Sequence, residues 1–248
     1  MGKSSPHSLL SSTQYALYYL DHTFSNNTED FTMSSDGDAR FWDKTADKYS
    51  KSPIADETGY ERTLDKTRDL LEPESHVLEL GCGTGGTAIK LAPGVRRYLA
   101  TDISTKMIEI ARGKNTDNDT VPGLEFRAAT VEALAAKPAR FNTVLAFNYL
   151  HLVRDLPGTL RSVHSLLAPG GLFISKTPCI WDMGLGLILF PVLPLLRAVG
   201  FAPFVVVFSA EDLKKRIEEA GFEIITTEYH GTRSNDKRPF IVAEKKRA

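Results

Sequence analysis

The chain has 248 residues, 42% of them hydrophobic and 25% charged, which suits one large globular domain or one domain with an appendage. Lys plus Arg (30) nearly balance Asp plus Glu (31) for a net charge of −1, so the strongly basic face of a nucleic-acid binder is not expected. Cys82 and Cys179 lie far apart without metal-ligand spacing, and read as reduced thiols of a cytoplasmic protein rather than a disulfide or a zinc site.

Residues 1–38 are rich in Ser, Thr, Asn and Asp and read as a flexible extension, with a short helix at 12–20 that includes Tyr15, Tyr18 and Tyr19. They lack the apolar core of a signal peptide, and Asp21, Glu29 and Asp30, with no Arg before Arg40, argue against a mitochondrial presequence. From 39 onward the pattern becomes helical. Phe41, Trp42, Ala46 and Tyr49 recur at three- and four-residue spacing until Ser52-Pro53 interrupts them. A second helix is expected over 57–71, with Tyr60 and Leu64 near one face and Pro73 closing it.

Strands then alternate with helices. Residues 76–80 predict strand one and run into the turn Gly81-Cys82-Gly83-Thr84-Gly85-Gly86, with a helix from about Thr84. Residues 95–101 predict strand two, ending at Asp102, and Ser104 is a natural N-cap for a helix through Arg112. A polar loop follows at 115–120, then strand three at 124–128 and a short helix at 131–136. Strand four is expected at 141–147 and a helix at 155–168; Pro169-Gly170-Gly171 then turns the chain into strand five at 172–176. An amphipathic helix at 210–220 stops at Gly221, followed by strands at 222–229 and 240–244. The loop between those last strands is too short for a crossover helix, so they form an antiparallel hairpin. The fold class is therefore α/β: a doubly wound, mostly parallel seven-stranded sheet with helices on both faces and that C-terminal hairpin. We divide it into the extension 1–38 and a domain at 39–248, in which 39–72 holds the N-terminal helices and 178–209 is an apolar insertion.

Met183 to Leu196 is a run of 14 residues with no charge, short of the about 20 that a membrane span needs. Pro191, Pro194 and Pro203 interrupt it further. A lid over an apolar acceptor is the first reading. A peripheral membrane or dimer contact through 183–208 and plain core are the alternatives.

Glycines let the backbone turn sharply and approach a ligand closely. Asp102 follows about 20 residues later, where dinucleotide-type folds place an acid on the ribose hydroxyls, because a carboxylate offers only acceptors. Together, Glu79-Leu80-Gly81-Cys82-Gly83-Thr84-Gly85 and Thr101-Asp102-Ile103-Ser104 resemble the class I S-adenosylmethionine-dependent methyltransferases. The similarity extends through residues 141–147 and 167–173 and covers roughly 41–244. A nicotinamide dehydrogenase would more usually show Gly-x-Gly-x-x-Gly.

The resemblance implies that S-adenosyl-L-methionine is the cofactor. Glu79, with the backbone of Gly81, Cys82, Gly83 and Gly85, would hold its methionine part, and Asp102 both ribose hydroxyls. Ile103 and Met107 would line the adenine pocket, with Thr130 and the Val131 backbone standing where many relatives have an adenine-binding Asp. Asn148 would face the sulfonium. His151, just past strand four, is the candidate general base, with packing between strand and helix as the competing role. Tyr60 and Tyr49 are candidates for contact with cofactor or substrate.

The function so implied is methyl transfer to an O, N or S atom of a small, lipophilic acceptor, with no nucleic acid involved. The alternatives are a membrane-associated lipid or quinone methyltransferase and a non-catalytic S-adenosylmethionine-binding protein.

Overall fold

Both faces of the central strands are covered, and their sequences are correspondingly apolar. In β1 (His76–Leu80) every residue after His76 is buried, as a parallel strand with helices on each side requires. The computed structural model describes residues 35–117, 120–136, 140–184, 203–233 and 236–246. Its other strands are β2 (Arg97–Asp102), β3 (Leu124–Ala128), β4 (Phe141–Phe147), β5 (Leu167–Lys176), β6 (Phe222–Tyr229) and β7 (Pro239–Lys245). They form one sheet in the order β3-β2-β1-β4-β5-β7-β6. The first five are mutually parallel, while β7 pairs antiparallel with both β5 and β6. The hairpin thus folds back so that its second strand, β7, and not β6, lies against β5.

Side-chain alternation assigns each helix a face. Leu78, Leu80, Val144, Ala146 and Phe173 pack with Leu160 and Val163 of α6 (Leu156–Leu166) and with Leu213 and Ile217 of α7 (Ala210–Glu219). On the opposite face Val77, Leu145, Ile174 and Val242 meet Leu64 of α2 (Glu57–Leu70) and Ala88 and Leu91 of α3 (Gly86–Leu91). Ile108 and Ala111 of α4 (Thr105–Asp117) join them there. The remaining α-helices among the described residues are α1 (Ser35–Lys51) and the short α5 (Val131–Ala135).

Side-chain caps set several helix starts. Asp56 accepts from Gly59 N–H (3.0 Å) and Asp155 from Gly158 N–H (2.9 Å), while Ser209 and Asp212 form a reciprocal capping box.

The elements are those expected with several boundaries shifted, among them the starts of α1 at Ser35 and β2 at Arg97, and three of the shifts have a visible cause. α4 continues to Asp117, beyond the expected start of a polar loop. There the buried Asn115 side chain accepts from Val121 N–H at 3.1 Å and closes the helix end. β5 starts at Leu167, so the helix before it is shorter than its apolar pattern suggested. Leu167 pairs with Phe141 before the register slips to Thr143↔Leu172, which makes Pro169-Gly170-Gly171 an irregularity inside the strand. α3 begins at Gly86, because Gly83 and Gly85 hold positive φ and keep the turn out of the helix. The expected helix at 12–20 and most of the insertion, 185–202, lie outside the described residues. Among those described, no helix is long and apolar enough to cross a membrane.

The parallel strands end on one edge of the sheet, at Leu80, Asp102, Ala128, Phe147 and Lys176. β6, antiparallel to β7 as β5 is, ends there too, at Tyr229. In open α/β sheets this carboxyl edge is where ligands bind.

Candidate cofactor and active site

The glycine turn leaves β1 at that edge. Gly81, Gly83 and Gly85 all have positive φ, at 66°, 53° and 79°. Neighbours enforce two of them. A Cβ on Gly81 would stand 2.6 Å from the Tyr149 ring, and one on Gly85 would stand 2.8 Å from both Ala111 and Phe126. At Gly86 a Cβ would meet nothing within 4 Å, so α3 opens at that one position on unfilled space.

Asp102 clamps this turn to the loop after β2. Its Oδ2 accepts from Gly83 N–H and its Oδ1 from Ser104 N–H, both at 2.9 Å. Burial raises its pKa, and those same backbone donors oppose the rise. Each carboxylate oxygen keeps a second lone pair, so the pair can still accept from two adjacent donors. Ile103 is half-buried beside it. Met107 is buried, and its N–H donates to Ser104 Oγ (3.0 Å), the N-cap the sequence predicts.

Glu79 is 2% exposed, and Tyr98 Oη donates to its Oε2 at 2.9 Å. Burial above all, helped by the negative charge of Asp102, lifts its pKa to about 7 against the Tyr98 hydrogen bond. The folded state therefore holds this proton more tightly than the unfolded chain does. This group's contribution to stability is full below about pH 4.5 and is lost as pH rises through about 7. Glu79→Gln removes the ionisation. Relative to wild type the variant should gain roughly 3 kcal/mol between pH 4 and pH 8, which urea unfolding at the two pH values measures.

Cys82 is buried, and burial pushes its thiol well up, so it is an unreactive part of the turn. Asn148 is the single non-glycine residue with positive φ (51°) among those described, and its N–H donates to the Lys176 carbonyl at 2.7 Å. An exposed Asn tolerates that backbone better than most residues, which suits a turn presenting its side chain at the sheet edge. Tyr60 shares a hydrogen bond with Thr87 Oγ1 (3.1 Å), and Lys90 lies over its ring. That ties it to the helix that the glycine turn opens. Tyr49 lies over Gly83, the Cβ position there being 3.4 Å from its ring.

Two residues combine the role expected of them with a packing role. His151, the candidate base, has its Nδ1 buried without a partner among the described residues. Burial pushes its pKa down to about 4, and its carbonyl accepts from Val206 N–H at 2.7 Å. The residue as a whole is half-buried, so the structure holds a neutral imidazole in a turn pinned to Val206. Thr130 uses its hydroxyl to cap α5, accepting from Ala133 N–H at 3.3 Å, and Val131 is buried in the core. That bond uses one lone pair, so the hydroxyl keeps its proton and a second lone pair for a ligand.

The sequence reading missed Asp43. Its Oδ1 accepts from Ser104 Oγ (2.6 Å) and Lys106 N–H (3.0 Å), laying α1 across the first turn of α4. Only an acid on an amphipathic helix signalled it, because the docking is tertiary.

The turn, the clamp and the left-handed Asn148 sit on a sheet whose strand order is now known. Against known families, residues 55–227 match the model of a methyltransferase domain. The chain belongs to the methyltransferase-domain family.

Among its relatives is the zebrafish (Danio rerio) mitochondrial arginine-hydroxylase NDUFAF5, 30% identical over 172 residues, 67% of this chain and 51% of that one. The ubiquinone biosynthesis O-methyltransferase of Methylocella silvestris is 36% identical over 101 residues, 41% of this chain and 39% of that one. The chain thus spans about half the length, or less, of these curated relatives. In fold it is similar to magnesium protoporphyrin IX methyltransferase from Synechocystis with bound S-adenosylmethionine. There the TM-score is 0.64 at 18% identity, over 90% of this chain and 100% of that one. Family and fold make this a class I S-adenosylmethionine-dependent methyltransferase domain, and S-adenosylmethionine is the cofactor of that class. The residues present fit it: a turn without Cβ atoms, open space at Gly86 and a carboxylate with acceptor capacity to spare.

Proposed function

We propose that the protein transfers a methyl group from S-adenosylmethionine to an O, N or S atom of a small, lipophilic acceptor. The Asp102 clamp carries the reading. One carboxylate organises the glycine turn and the Ser104 loop together, and its remaining lone pairs suit the two ribose hydroxyls. Glu79 and the backbone from Gly81 to Gly85 hold the methionine part. Ile103 and Met107 flank the adenine. Asn148 faces the sulfur. Tyr60 supports the turn through Thr87, and Tyr49 with α1 shields it from water.

The bound cofactor supplies a methyl already activated on a sulfonium. The chain's task is then to align the acceptor with that carbon, keep water out and receive a proton where the acceptor carries one.

Lipophilicity is inferred from the uncharged Met183–Leu196 run, from Trp181, 55% exposed at its entrance, and from Phe204 beneath the Arg154 guanidinium at its exit. Incubation with methyl-labelled cofactor and a panel of phenols, thiols, amines and lipids tests it. Labelled product confined to apolar acceptors is the expected result, and label only on charged, hydrophilic acceptors would overturn it.

A membrane-associated lipid or quinone methyltransferase is the second reading, favoured by the same exposed Trp181 and by a relative named for ubiquinone biosynthesis. It predicts co-sedimentation with liposomes that is lost when residues 184–196 are deleted. Sedimentation unaffected by the deletion, or none at all, removes it.

A further inference from the structure

At the same carboxyl edge, two strands from the glycine turn, polar side chains from three elements form one hydrogen-bonded line. Lys176 ends β5 and is 7% exposed. Its Nζ donates to Thr63 Oγ1 of α2 at 2.8 Å and to the Gly59 carbonyl at 3.4 Å. Thr63 Oγ1 lies 3.1 Å from Nδ1 of the buried His230, just past β6. His230 Nε2 lies 3.3 Å from Glu228 Oε2, and Glu228 Oε1 meets the part-exposed Lys66 at 3.2 Å. The line therefore runs from a buried amine to solvent.

Counting donors gives it a direction. Glu228 has a lowered pKa and is a carboxylate, able only to accept, so His230 must place its proton on Nε2. Burial keeps the imidazole neutral, which leaves Nδ1 as an acceptor for the Thr63 hydroxyl. That hydroxyl has the Gly59 carbonyl, at 2.8 Å, as its other acceptor. With the hydroxyl turned to His230, every bond points outward from Lys176.

The charged groups that face the amine are occupied elsewhere. Asp56 accepts from Gly59 N–H and from Thr232, and Asp236 pairs with Arg238. Burial first, then the Arg238 charge, lowers the Lys176 pKa to about 8. Ring contacts fix the line in place: the His230 ring lies tilted, 4.6 Å from that of Phe240, which stacks on Phe147 at 6.5 Å. Phe147 precedes Asn148, whose N–H is held by the Lys176 carbonyl, so the amine and the Asn148 turn belong to one unit.

We propose that Lys176 takes the proton released by the methyl acceptor and passes it to solvent through Thr63, His230 and Glu228. This rests on the methyl-transfer reading above. As the acceptor atom bonds to the methyl carbon, the electron pair of the broken carbon–sulfur bond stays on sulfur. The acceptor atom keeps the pair of its own bond to hydrogen, and that proton goes to the Lys176 nitrogen. A Lys176 proton then moves to Thr63, the Thr63 proton to His230 Nδ1, and the Nε2 proton to Glu228. Thr63 and His230 act through the amine and are positioning residues.

Nitrogen NMR of the labelled full chain tests the line without turnover. The expected result is a neutral His230 carrying its proton on Nε2 and a Lys176 amine that titrates near 8. A His230 proton on Nδ1, or an amine titrating at the ordinary 10.5, overturns the proposal. In the labelled-methyl assay with the phenol and thiol panel, wild-type kcat should rise with pH through that midpoint. Lys176→Met should lower kcat about 10²- to 10⁴-fold and erase that rise while leaving S-adenosylmethionine affinity unchanged. Lys176→Arg keeps a buried cation and its donors but has no lone pair at neutral pH, so it should fail equally. A wild-type pH profile in either variant overturns the proposal. A wild-type chain that binds no S-adenosylmethionine instead overturns the methyl-transfer reading, and the NMR result still judges the line.

Discussion

Asp102→Ala should weaken S-adenosylmethionine binding by about 2–4 kcal/mol, roughly 30- to 1,000-fold. Two losses combine. The ribose hydroxyls lose their charged acceptor, and the Gly83 and Ser104 amides lose the group that holds their loops in register. Asp102→Asn should not rescue the site. Both carboxylate oxygens already face backbone donors, so whichever one becomes an amide NH₂ opposes an N–H. Equilibrium dialysis with labelled cofactor measures the loss. A 2′,3′-dideoxy analogue separates its two parts, because wild type should discriminate strongly against the analogue and the variant hardly at all. Equal discrimination by both proteins would show that Asp102 shapes the loop without touching the ribose.

The largest effect on stability is expected at Gly85. Its φ of 79° costs an L-residue about 1–2 kcal/mol. A Cβ there also lies 2.8 Å from Ala111 and Phe126, both buried, which adds roughly 1–3 kcal/mol of overpacking. Gly85→Ala should therefore cost about 2–5 kcal/mol, a large share of the 5–15 kcal/mol typical of a whole domain. Gly86→Ala is the control. It lies in the first turn of α3 with nothing within 4 Å of the new atom, so it should leave stability unchanged or slightly raised. Urea denaturation of the two variants side by side decides the matter. Similar midpoints would mean that the loop relaxes around Gly85.

Local chemistry was legible in the sequence wherever it is repeated or punctuated. Ser104 caps its helix as its residue type predicts, Gly221 stops α7 at a φ of 94°, and β3, β4 and β6 have the predicted limits. The spacing from Gly81 to Asp102 identified a pair of loops that the structure does join through hydrogen bonds. Pairings set by tertiary packing were not legible. Nothing in residues 39–51 indicates that Asp43 would reach the first turn of α4. Nothing in the sequence ties His230 to Lys176, and their link through Thr63 exists because β6 and β5 end on the same edge beneath α2. His151 shows the converse. Its place after strand four fitted a base, but burial is a property of the packed fold and lowers the basicity that residue type suggested.

Calorimetric titration of S-adenosylmethionine into the wild-type chain at pH 8 tests the central claim most directly. The geometry predicts saturable binding of one cofactor per chain, lost or severely weakened in Asp102→Ala. No saturable heat at millimolar cofactor would contradict it.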